Sequence, residues 1–430
     1  MSNYPKNLRY GLNRLSGYNT NLFKLQPTNI TTVSNGGIVE VQLPSNAIIN
    51  LHSLSAVFNA AITNSSSTVF AGFPANMDSV IDRMEVLVSG SQVVQGSLQY
   101  NTVATIKKRL FNKINKQNTD TKVLSGSYPV DISTADQQAG SFVIDQWYSF
   151  LGESAPQFLD TSLIGQLSVR LYLADSNILR LSAAKATGQT LTYTLSDIYF
   201  TCESISVSDG LYSLSVQQEI ASNGFISVPY TNYFTFTNTQ SSSAAGVGLN
   251  ARFNVSSQSV DCLYSVMRNA NSTDSYVTGD QAEIDMGGTV LGPDKVAKYF
   301  NFTSAGIGSF SYSVNNVEIP NFKMSPVQAL SLTAVAKNDT NDNNRGGLVT
   351  SSSQALNNYW VACLRLCHAG DLEDPRVLSG LDSRGTASTC MFNTLAAGSG
   401  GINGNVEVFT VAQCSSTLRI GAGKSIEIVL

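Results

Sequence analysis

Five residues near the end of the chain, Gly421-Ala422-Gly423-Lys424-Ser425, have the types that cradle a phosphate. They offer small residues for close backbone approach, a lysine for charge and a hydroxyl for a metal. The full loop needs a glycine where this chain has Leu418, and a helix after the serine. The residues after Ser425 instead alternate as a strand, which predicts a hairpin turn in which glycine supplies positive φ. The run 338–347 alternates Asp and Asn as a calcium loop does, but Asn344 replaces the central glycine and Thr350 the closing glutamate. It reads as a solvated loop. Cys363, Cys367 and His368 are the one close Cys/His group. On a strand the two thiols share a face that His368 does not, so no compact ligand set results, and they read as buried structural thiols. His52 and His368 are the only histidines, and neither has a nucleophile elbow around it. No catalytic residue, metal ligand or cofactor site is assigned, and the chain reads as a non-enzyme.

Charge is scarce and local. Charged residues make up 13% of the chain, with 42% apolar residues and a net charge of -4, against about 25% charged in an average protein. That excludes a coiled coil or a histone-like nucleic-acid binder, both of which need dense charge. Lys6, Arg9, Arg14 and Lys24 precede the first carboxylate, Glu40. They define a basic N-terminal arm, drawn here as residues 1–37, that could dock on a neighbour or an anionic surface. Lys107, Lys108, Arg109 and Lys113 cluster on a helix without interleaved aromatics, and read as a solvated face. No run approaches the ~18 apolar residues of a membrane helix, and the N-terminus lacks the apolar core of a signal peptide, so release into the cytosol is expected.

The elements that must position these residues are mostly strands. Leu167, Val169, Leu171 and Leu173 alternate with Ser168, Arg170 and Tyr172. Val39-Val41-Leu43, Met84-Val86-Val88, Leu191-Tyr193-Leu195, Val260-Cys262-Tyr264-Val266 and Phe310-Tyr312-Val314 do the same. Two helices interrupt them. One starts near Ser97 and carries Val103, Ile106, Leu110 and Ile114 at helical spacing. The other starts at Ser325, with Pro326 first, Gln328 closing a capping box, and Val327, Leu330 and Ala334 as the buried stripe. Each helix follows a strand, a turn and a short apolar run: Met84 to Val94 in one half, Phe310 to Ile319 in the other. This repeat of architecture predicts two similar β domains, 38–207 and 208–430.

The run Trp147-Tyr148-Ser149-Phe150-Leu151, then Phe158 to Gly165 and the strand Leu167 to Leu173, resembles the late strands of a first jelly roll. Val260 to Arg268, Val314 to Phe322 before the helix, and Ser379 to Arg384 are similar in the second half. On these residues the chain resembles the double jelly-roll major capsid proteins of virophages, polinton-like viruses and their larger DNA-virus relatives. The resemblance implies an all-β fold of two tandem eight-stranded jelly rolls, each with a short helix insertion. It also implies a structural protein of an icosahedral virion capsid, without cofactors, made in the host cell cytoplasm. Its partners would be two further copies in a pseudo-hexagonal homotrimer, neighbouring capsomers, and minor capsid or penton proteins. The basic arm (Lys6, Arg9, Arg14, Lys24) would face an inner membrane or genome. The alternative is a cell-surface β-sandwich adhesin or glycan-binding protein.

Overall fold

The computed structural model describes residues 18–430 except 67–70, 75, 95–98, 112–138, 182–187, 208–209, 243–247, 270–297, 301, 303, 305–306, 315–316, 337–359, 368–379, 386–387 and 395–403. Among the described residues, eight strands form the two main sheets of the first half: β1 (Tyr18–Leu25), β2 (Ile38–Gln42), β3 (Ser55–Asn64), β4 (Ile81–Val88), β5 (Ser91–Gln92), β6 (Ala139–Ile144), β7 (Leu167–Leu173) and β8 (Leu191–Val207). Eight more build the second: β9 (Phe225–Ser242), β10 (Gly248–Phe253), β11 (Val260–Asn269), β12 (Ile307–Val314), β13 (Val317–Met324), β14 (Ala362–Arg365), β15 (Ser388–Thr394) and β16 (Gly404–Gly421).

The sheet orders are β1-β8-β3-β6 with β2-β7-β4-β5, and β9-β16-β11-β14 with β10-β15-β12-β13. Subtracting eight from each label of the second pair gives the first pair. This antiparallel order of two four-stranded sheets is a jelly roll, and the chain contains it twice. Short strands at Val33–Ser34, Ile48–Asn50 and Phe158–Asp160 extend the first sheet, and Ile426–Val429 pairs with β16. Helix α1 (Tyr100–Phe111) follows β5, α2 (Gly210–Asn223) joins the halves, and α3 (Pro326–Ala336) follows β13.

Alternation decides which residues enter the core. On β7 every odd position from Leu167 to Leu173 is buried and every even one is half-buried, because successive side chains point to opposite faces. Val39, Leu171 and Ile81 from one sheet meet Phe58, Leu195 and Phe200 from the other around one small apolar cavity, so the two sheets share a single interior. The second half departs from simple alternation. On β11, Leu263 and Met267 pack inside the second sandwich, whereas Cys262, Tyr264 and Val266 belong to a core shared with the first half. A strand buried on both faces reads as a nearly continuous apolar run, as Val260 to Met267 does.

Several local expectations change. The arm drawn to residue 37 is too long, because β1 pairs with β8 from Tyr18 opposite Val207 to Leu25 opposite Phe200. This stretch is the first strand of the jelly roll. Its polar Asn19, Thr20 and Asn21 hide the alternation, and pairing with a long strand supplies the order that the sequence does not advertise. Helix α2, at the domain junction, was not expected. The α3 capping box does form: Ser325 N donates to Gln328 Oε1 at 2.8 Å, and Gln328 N to Ser325 Oγ at 3.3 Å. Its buried stripe, however, is Ala329, Thr333 and Ala336. Val327, expected inside, is 61% exposed, Leu330 is half-buried, and the side chain of Ala334 lies outside the described residues.

One carboxyl near the junction opposes folding. Burial pushes Asp82 up from its ordinary value of 3.8, the neighbouring Asp175 adds to the rise, and Arg83 pulls the other way. A raised carboxyl costs nothing below its unfolded pKa and its full penalty above its folded pKa. Asp82→Asn should therefore raise the melting temperature at pH 7 by about 1–3 °C and leave it unchanged near pH 3. Thermal melts at the two pH values check this; a gain of equal size at both would contradict it.

Candidate functional site

Of the residues first singled out for chemistry, the glycine-rich run and the two thiols have structural places. Gly421 to Ser425 is a tight turn from β16 into Ile426–Val429, with Gly423 at φ 68°, which is the expected hairpin. The Asp/Asn run and His368 lie outside the described residues. Cys363 and Cys367 are buried, as structural thiols should be. His52 is exposed beside Asn50. Among the described residues no three His, Cys, Asp or Glu side chains group as metal ligands, and no helix is long and apolar enough to cross a membrane. Lys6, Arg9 and Arg14 also lie outside the described residues. Lys24 sits on β1, with Nζ 4.0 Å from the centre of the Tyr199 ring on β8.

The densest constellation lies where the halves meet. Tyr230 and Tyr233 on β9 are both almost fully buried. Tyr230 packs edge-on against Phe150 at 5.3 Å between ring centres and donates to the Val93 carbonyl at 3.0 Å. Tyr233 donates to Glu153 Oε1 at 2.7 Å. Glu153 Oε2 accepts the Ser149 N–H at 2.9 Å, and Lys107 Nζ stands 3.6 Å from Oε1. Backbone joins in: Ala155 N donates to the Pro229 carbonyl at 2.8 Å. Gly152 is needed beneath this loop, since a Cβ there would stand 1.7 Å from the Trp147 carbonyl oxygen. The Trp147 to Leu151 run that carries the resemblance therefore forms part of the seam between domains.

This seam corrects the reading of the basic helix face at Lys107 and Lys108; Lys113 and the side chain of Arg109 lie outside the described residues. Lys107 and Lys108 are each 2% exposed, and Lys108 contacts the equally buried Asp78 carboxylate. With Asn101, Thr102, Val103, Ala104 and Ile106 also buried, α1 is covered nearly all round. Composition hid this, because a buried lysine and a solvated lysine look alike in sequence. Glu153, Tyr230 and Tyr233 were not singled out either. The signal was available: two tyrosines three apart on a strand face opposite sides, so both are buried only if the strand is covered twice.

The two halves differ in what covers the same faces. In the second jelly roll the outer face of β9-β16-β11-β14 is closed by the first jelly roll, through α1 and the 149–155 loop. The outer face of β1-β8-β3-β6 in the first jelly roll is open, with Leu22 71% exposed and Val57 and Tyr199 half-buried. In the second jelly roll the side built by β13 and α3, equivalent to β5 and α1, exposes Val317, Phe322 and Val327.

No protein-family model matches the sequence, and no curated protein matches it either. Solved structures do. The chain is similar to PBCV-1 VP54, as fitted into a cryo-EM reconstruction of the virophage Sputnik, at TM-score 0.62 and 11% identity, covering 97% of this chain and 98% of that one. The Faustovirus major capsid protein matches at TM-score 0.59 and 10% identity, over 98% and 92% of the two chains. The mavirus major capsid protein matches at TM-score 0.51 and 11% identity, over 97% and 90%. The chain has the double jelly-roll fold of these capsid proteins. At these identities the likeness is one of fold, carried by strand order and core pattern and not by shared site residues.

Proposed function

We propose that this chain is a viral major capsid protein, without catalytic activity, whose three copies close into a pseudo-hexagonal capsomer that tiles an icosahedral shell. The observation that carries the reading is the unequal covering of equivalent faces. Within one chain, the β9 sheet sits on the α1 side of the neighbouring jelly roll. Repeating that contact between chains would set the open β1 sheet of one copy on the open β13 and α3 side of the next. Such a head-to-tail contact is heterologous and gives a ring when its rotation closes. Two jelly rolls per chain make a ring of six from three chains. Low charge favours this, because identical neighbours then meet without strong repulsion.

In the same reading the protein resides in the virion capsid after synthesis in the host cytoplasm. Minor capsid or penton proteins fill the places that hexagonal units cannot. Lys6, Arg9 and Arg14 precede β1, and with Lys24 they would form the contact to a membrane or genome inside the shell. Light scattering on the purified chain tests the proposal. It should return three times the chain mass of 45.9 kDa, and a monomer at every concentration would refute it.

A further inference from the structure

We propose that Cys262 and Cys363 are a latent disulfide, open in reducing surroundings and closed by a small peroxide. Cys262 lies on β11 and Cys363 on β14, and the pairing of Tyr264 with Cys363 and of Cys262 with Arg365 makes the two thiols diagonal neighbours on one face. Their sulfurs are 3.0 Å apart, roughly an ångström from the ~2.05 Å of an S–S bond. Both side chains are buried, at 0% and 3% exposure, in the core shared by the two domains. β14 is the edge strand of its sheet, and its other attachment is to α3: Cys363 N donates to Thr333 Oγ1 at 2.9 Å, which itself donates to the Val361 carbonyl at 3.0 Å. A bond to β11 would fix that edge, and with it the seat of α3, on the central strands.

The chemistry balances with hydrogen peroxide. One thiol, as its thiolate, attacks a peroxide oxygen and breaks the O–O bond. This gives a sulfenic acid, and the released hydroxide takes up the thiol's proton as water. The second sulfur displaces the sulfenic hydroxyl, forming S–S, and its proton leaves with that hydroxyl as a second water. Two sulfurs are oxidised and one peroxide is reduced. Since neither thiol is open to solvent, the reaction proceeds through local opening of the short edge strand, and is slower than at an exposed cysteine.

Peroxide treatment of the full-length folded protein, followed by alkylation in denaturant and non-reducing peptide mapping, tests this. The expected product is a Cys262–Cys363 linked peptide lighter by two hydrogens. The melting temperature should rise by about 5 °C, because the bond closes a loop of about 100 residues, and should return on adding a reductant. Cys363→Ser should abolish both the link and the rise. If that variant does not fold, the mapping and the reductant reversal in the unaltered protein still decide. Recovery of both thiols alkylated, or a link from Cys262 to Cys367 instead, would overturn the assignment.

Discussion

Lys108→Met is expected to remove about 3–5 kcal/mol of folding stability, because it strips the counter-charge from a carboxylate that cannot reach water. Lys108 projects from α1 onto Asp78, in the 3-10 turn Met77–Val80 that leads into β4, and the two side chains are 2% and 1% exposed. Asp78 also acts on its surroundings: its charge adds to the burial that holds the Tyr100 hydroxyl well above its ordinary pKa. A domain is stable by only about 5–15 kcal/mol in total, so the single variant should express poorly and melt far below the parent. The double variant Asp78→Asn/Lys108→Met removes both charges and should recover most of the loss. Urea denaturation of the four proteins in the cycle measures this; a Lys108→Met variant within 1 kcal/mol of the parent would mean that the pair is hydrated and not buried.

Val327→Asp is expected to abolish assembly without harming the fold. Val327 lies in the first turn of α3, is 61% exposed, and shares its side of the second jelly roll with Val317 and Phe322. A carboxylate so exposed has little to lose in the isolated chain, and an acidic residue in the first turn suits the helix dipole. In the proposed contact it would be buried against Leu22 and Tyr199 on the open sheet face of the next copy. Loss of a central apolar anchor and burial of an unpaired charge together should weaken association by roughly 30-fold or more. The variant should elute as a monomer with an unchanged circular dichroism spectrum. A folded variant that still assembles as the parent does would place the contact elsewhere.

How much of this was legible in the sequence depends on what surrounds each residue. Strands with one buried face, such as β7 and β2, announced themselves by alternation, and the Ser325-Gln328 box marked the start of α3. The tandem repeat was visible because both halves place a helix after a strand, turn and short apolar run. What was not legible depends on contacts between distant segments. β1 carries too many Asn and Thr residues to read as a strand, and exists by pairing with β8. Lys107 and Lys108 read as solvated because nothing near them in sequence reveals Asp78 and Glu153. Val327 and Ala329 are both apolar, and distant contacts decide which side of α3 faces in: Trp360 Nε1 donates to the Pro326 carbonyl at 3.2 Å, and Thr333 Oγ1 to the Val361 carbonyl at 3.0 Å. Arg268, which ends the run used for the resemblance, is buried for a similar reason. It donates to Glu407 at 2.8 Å and to the Tyr299 carbonyl at 2.7 Å, and stacks on Tyr299 and Phe409.

In the proposed capsomer, the seam between the two jelly rolls of one chain is repeated between chains. Negative-stain microscopy of the purified, untagged protein addresses it most directly, because class averages show lobes without further interpretation. Closed rings of six lobes are expected, three chains each with two lobes. Isolated two-lobed particles at every concentration, or open filaments, would contradict it.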